Sequence, residues 1–95
     1  MALNKEIELE NGIVVSYHRI VKIDKITNNQ TIIEVASYIN ETQRNKEVES
    51  IKNKEPMNVF INTEYLNKYY DENENIKEIY SYLKTLDKYK DAEDI

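Results

Sequence analysis

Apolar and polar positions alternate from Leu3 to Ile23 as they do along strands that are wet on one side. Leu3, Ile7 and Leu9 interleave with Asn4, Glu6, Glu8 and Glu10, and Asn11-Gly12 then breaks the pattern with two residues that tolerate positive φ. This spacing predicts a β-hairpin closed by a two-residue type I′ turn. On the return strand Ile13, Val15, Tyr17, Val21 and Ile23 share one face, Ser16, His18, Lys22 and Asp24 share the other, and Arg19 and Ile20 fall out of phase. Either a bulge near His18-Arg19 repairs the phase or another subunit covers both faces there. After a connection from Lys25 to Asn29, the run from Thr31 to Ile39 is apolar on both sides, as in a central strand covered on both faces.

From Asn40 to Glu55 only Val48 and Ile51 are apolar, which predicts a weakly held polar helix or a mobile segment around 42–54. Pro56 closes that segment, and Met57, Val59 and Ile61 alternating with Asn58, Phe60 and Asn62 predict a fourth strand over 57–63. The tyrosine-rich stretch from Thr63 to Asn75 reads as a connection. Asn75 then caps a helix over 75–87, with Glu78 at the third helical position and Ile76, Ile79, Tyr80, Leu83 and Leu86 on one face. The charged residues 88–95 are expected to fray. The expected fold is α+β in a single domain spanning 1–95: a small antiparallel sheet, made of the N-terminal hairpin plus two further strands, packed by a C-terminal amphipathic helix. The first strand at the sheet edge is the simplest order.

Composition narrows the chemistry. The 95 residues include no cysteine, which removes disulfides, thiolate nucleophiles and cysteine-ligated metals. The net charge of -5 disfavours a nucleic-acid partner, since phosphate contacts need Lys and Arg. Excess acid is concentrated beyond Val48, where eleven acidic residues face seven basic ones. There is neither an apolar run of membrane-spanning length nor a secretory signal pattern, so no membrane role and a cytoplasmic site of synthesis are expected.

His18 is the only histidine, so it lacks the second imidazole of a His-x-x-x-His metal site, although Ser16 or Ser37 could lie beside it. One glycine leaves no oxyanion or phosphate-cradling loop. Asp71, Asn73 and Asn75 imitate the start of an EF-hand loop, but Ile76 and Tyr82 stand where glycine and glutamate are needed, so a helix-capping acidic loop is expected instead. No catalytic, cofactor or metal residue is assigned. Eight tyrosines suit either core packing or an interface, because tyrosine buries area while keeping a polar tip.

The run Met1-Ala2-Leu3-Asn4-Lys5-Glu6-Ile7-Glu8-Leu9-Glu10-Asn11-Gly12-Ile13-Val14-Val15-Ser16-Tyr17-His18-Arg19-Ile20, with Pro56-Met57-Asn58-Val59-Phe60-Ile61-Asn62 and Tyr82-Leu83-Lys84-Thr85-Leu86-Asp87, resembles a family of short proteins encoded in prophages and tailed phages of low-GC Gram-positive bacteria. The resemblance implies a non-enzymatic tail or baseplate protein, found in the virion after assembly in the host cytoplasm. Its expected partners are other phage structural proteins or itself, in an oligomer or larger assembly. His18, Arg19, Ile20, Tyr65, Tyr69 and Tyr70 are the expected interface residues, with pairing through the first strand and ordering of 42–54 on assembly as the expected mode. The alternative is a small acidic phage-encoded inhibitor of a host protein.

Overall fold

The computed structural model describes residues 1–54 and 60–95. Strands β1 (Leu3–Glu8) and β2 (Val14–Ile26) pair antiparallel around the Asn11-Gly12 turn. The turn is one residue longer than expected. Leu9 N–H donates to the Ile13 carbonyl and Gly12 N–H to the Leu9 carbonyl, both at 2.8 Å, which leaves Glu10-Asn11-Gly12 as the loop. Only Gly12 has a positive φ there, 84°, whereas type I′ needs two such residues, so the three-residue form with glycine in the left-handed position is adopted instead.

The phase break in β2 is a bulge placed slightly later than expected. Ile20 pairs with Val35 and Lys22 with Glu34, so Val21 is the extra residue, and both Ile20 and Ile23 reach the core face. The backbone N–H of Ile20 donates to the Tyr80 hydroxyl at 2.9 Å, and that hydroxyl donates to the Met1 carbonyl at 3.0 Å. A second irregularity sets Lys5 and Glu6 against Ser16, and the Lys5 carbonyl accepts from His18.

Among the described residues three further strands, β3 (Gln30–Tyr38), β4 (Asn62–Tyr69) and β5 (Glu93–Asp94), make up a five-stranded antiparallel sheet in the order β4-β3-β2-β1-β5. Two expectations are corrected. β1 is not the free edge, because β5 pairs with Leu3 and Asn4, and Ala2 and Ile95 exchange two backbone hydrogen bonds of 3.0 Å. The expected fraying of 88–95 is replaced by a 3-10 turn, Asp87–Tyr89, and a strand, held by the buried side chains of Tyr89 and Ala92.

The expected strand over 57–63 falls partly on residues 55–59, outside the described residues; the strand that is described is β4, beginning at Asn62. Its inward positions Glu64 and Lys68 are charged, which hides the alternation from the sequence. The fold satisfies both charges: Lys88 pairs with Glu64, and Lys68 bonds both carboxylate oxygens of Glu74 at 2.7 Å.

Helix α2 (Ile76–Leu83) closes one face of the sheet. Asn75 caps it as expected, accepting from the Glu78 N–H at 2.9 Å. Ile79, Tyr80 and Leu83 pack with Tyr89 and Ala92 on Leu3, Ile20, Ile33 and Val35, while Ile76 is left largely in solvent. Leu3, Ile33, Ile79 and Leu83 are fully buried, each contributing about 1.5–3 kcal/mol of transfer free energy.

Helix α1 (Glu41–Lys52) lies on the opposite face, capped by the Asn40 side chain. Its two apolar residues give it little to dock with, since Ile51 is exposed and Val48 only half-buried. Glu47, 7% exposed, docks it: its Oε1 accepts from the Tyr38 hydroxyl at 2.8 Å and from the Arg44 guanidinium at 2.6 Å, with Arg19 at 4.0 Å. An ionic anchor replaces the hydrophobic stripe.

Candidate interaction surface

Strand register determines what each face of the sheet presents. Directly opposed residues share a face, so the pairings give four rows across β2, β3 and β4 on the α1 side: Arg19–Ala36–Thr63, Lys22–Glu34–Tyr65, Asp24–Ile32–Asn67 and Ile26–Gln30–Tyr69. The first row lies at the end where α1 meets Tyr38 and Arg19, and Ala36 is fully buried. The other three rows leave the sheet open. Tyr65 is 64% and Tyr69 92% exposed, with Ile26 beside them. A concavity of about 320 Å³ is lined there by Lys22, Asp24, Ile32, Glu34, Tyr65 and Asn67.

The open face mixes ring surface with matched charge. Lys22 and Glu34 are cross-strand partners, and the Glu34 carboxylate, directly across from Tyr65 on β4, holds that phenol above its ordinary pKa. Around the end of the sheet a larger cleft of about 620 Å³ runs between Asn29, Gln30, Asn67, Lys68, Tyr69 and Tyr82. Its floor is tied down, because the Lys68 ammonium sits 5.2 Å from the centre of the Tyr82 ring and is paired with Glu74.

The six expected interface residues part company. His18 and Ile20 are buried within the chain's own core, at 1% and 6% exposure, so neither is free to meet a partner; this corrects the expectation. His18 and Ile20, two residues apart, both point to the α2 side, His18 against the Tyr89 ring, and the bulge at Val21 shifts the phase beyond them so that Ile23 joins that side. Arg19 is half-buried in the Glu47 anchor, Tyr70 is half-buried, and Tyr65 and Tyr69 lie together on the open face. Lys22, Ile32, Glu34 and Asn67 were missed, because only the register between β2, β3 and β4 brings them into those rows.

Among the described residues, His18 and Ser37 form an arrangement with the outline of a nucleophile and base. The Ser37 hydroxyl donates to Nδ1 at 2.7 Å, and Nε2 donates to the Lys5 carbonyl at 2.7 Å, an assignment that follows because a carbonyl can only accept. Burial lowers the His18 pKa, with the Lys5 carbonyl opposing and the Lys88 charge adding to the effect. Both side chains are buried, the imidazole lies edge-on to the Tyr89 ring, and among the described residues its two nitrogens are taken up by Ser37 and the Lys5 carbonyl with no carboxylate to orient them.

Asp71, Glu74 and Glu78 bring carboxylate oxygens within 4.8 Å of one another at the start of α2, the sole such acidic group among the described residues. Glu74 is already neutralised by Lys68, and Asp71 accepts from the Asn73 N–H at 3.0 Å, so the stretch is built as a capping loop.

Compared with known proteins, this chain matches no family model, no curated protein and no solved structure.

Proposed function

We propose that this protein is a non-enzymatic structural or assembly protein that works through protein interfaces, in the setting its sequence resembles: the tail or baseplate of a phage of a low-GC Gram-positive host. The observation that carries the reading is the open half of the sheet, where Tyr65 and Tyr69 project from β4 among matched charges. Aromatic residues ringed by polar ones are the usual make-up of an interface core and rim. The burial of His18 and Ser37 supports the non-enzymatic part. The partners on this reading are other phage structural proteins or a second copy.

An acidic inhibitor is the less supported alternative. Glu64, Glu74 and Asp94, three carboxylates of the acidic half, are each paired with a lysine of the same chain, which thins any phosphate-like array. Fractionation of a lysate from an induced prophage tests the choice: the protein should co-sediment with tail particles in high salt. Recovery only with a host protein, and its release by salt, would overturn the assembly reading.

A further inference from the structure

We infer that β4 is the seat of a symmetric dimer, in which the strand pairs antiparallel with β4 of a second copy and joins two five-stranded sheets into one of ten strands. The inference deepens the assembly reading and rests on it. β4 is the last strand of the sheet and pairs with β3 over all eight of its residues, from Gln30↔Tyr69 to Ser37↔Asn62, without a register shift. Among the described residues nothing pairs with its outer side. The usual protections of an edge are a bulge, a proline or an outward lysine; here the strand is regular, has no proline, and its one lysine is drawn onto Glu74.

The sequence of β4 is self-complementary in the way a two-fold axis demands. Such an axis, normal to the sheet and midway between the two strands, sets each residue opposite one on the same face, so it must lie level with a residue that faces its own copy. With the axis at Leu66, Glu64 of each copy faces Lys68 of the other, Tyr65 faces Asn67, Thr63 faces Tyr69 and the two Leu66 side chains meet. Moving the axis to Tyr65 or to Asn67 sets Glu64 or Lys68 against leucine.

The charges on the α2 side make the Leu66 choice stronger. Within one chain Lys88 pairs with Glu64, and Lys68 pairs with Glu74. Joined at Leu66, the two copies line these up as Lys88, Glu64, Lys68 of the second copy and Glu74 of the second copy, alternating in sign, and the axis generates the same row twice. Tyr65 and Tyr69 become part of one continuous aromatic and polar face across the dimer. A strand edge alone is smaller than a standard interface, so the association should be reversible and concentration-dependent.

Because the chain contains no cysteine, single-cysteine variants report the register directly. Tyr65→Cys and Asn67→Cys both sit at exposed positions of β4, so the fold is expected to survive. Under mild oxidation an equimolar mixture of the two should form a mixed disulfide several-fold more efficiently than either variant alone, and sedimentation of the wild-type chain should show a monomer–dimer equilibrium. A wild-type chain that stays monomeric at all concentrations, or cross-linking as efficient within each variant as between them, would overturn the inference. The outcomes separate from those of the assembly reading: a monomer that still co-sediments with tail particles removes the dimer alone. A β4 dimer that never does so removes the assembly role alone.

Discussion

Replacing Tyr80 with phenylalanine removes one oxygen and leaves the ring packed where it is. That oxygen accepts from the Ile20 N–H at 2.9 Å and donates to the Met1 carbonyl at 3.0 Å. Ile20 sits at the bulge, where the ladder to β3 shifts register, and it is 6% exposed, so in Tyr80→Phe its N–H is left without a partner in a place water does not reach. Met1 is 65% exposed, and its carbonyl can take up water instead. The cost is therefore that of one unsatisfied buried donor, about 1–2 kcal/mol. At this chain length that is a fall in melting temperature of about 5–15 °C. Thermal and urea unfolding followed by circular dichroism, with Tyr65→Phe as the exposed control, measures it; amide exchange at Ile20 should accelerate in the variant. A Tyr80→Phe melt indistinguishable from wild type would refute the claim that the hydroxyl satisfies the bulge.

Glu47→Ala strips the anchor of α1, leaving Arg44 and the Tyr38 hydroxyl without their shared acceptor and Arg19 without its nearby counter-charge, so it should cost about 1–3 kcal/mol in urea unfolding and release the helix to rapid amide exchange. Acid should weaken the fold through His18: its folded pKa lies below the ordinary 6.5, so the unfolded chain binds more protons there, and stability should drop as pH falls through and below 6.5. The histidine part of that dependence should vanish in His18→Phe. Alkali should weaken the fold too, through Tyr89, whose pKa is raised chiefly by burial and further by Glu64, so stability should decline above pH 10 as the unfolded chain ionises first. Deleting residues 91–95 removes β5, the Ala2–Ile95 hydrogen bonds and the Lys84–Asp94 ion pair, and should lower the melting temperature instead of leaving it unchanged as loss of a frayed tail would.

The parts of the fold that could be read from the chain are those that announce themselves locally. The hairpin, the central third strand and the capped helix after Asn75 each follow from periodicity or a cap, and the α+β sheet packed by a helix follows from them. Elements held by distant partners could not be read. β4 hides because Glu64 and Lys68 point inward and are neutralised by Lys88 and Glu74, residues far along the chain. α1 docks through Glu47, which no hydrophobic pattern reveals, and the C-terminal strand depends on Tyr89 and Ala92 within a charged tail. His18 and Ile20 looked surface-bound because alternation alone groups Val21 and Ile23 with the apolar odd positions; the bulge at Val21 breaks that count, and the side that Ile23 shares with His18 and Ile20 is the buried one. Tyr65 and Tyr69 were visible as tyrosines, but the face they share with Glu34 and Asn67 exists only in the register of β3 with β4.

The central claim is that the open face and edge around β4 form the working surface. Comparing wild type with Tyr65→Ser/Tyr69→Ser for co-sedimentation with tail particles tests it most directly, since both side chains are exposed and their loss should leave the melting temperature nearly unchanged. The doubly substituted protein should fold normally but no longer sediment with the particles. Equal recovery of the two proteins in the particle fraction would contradict it.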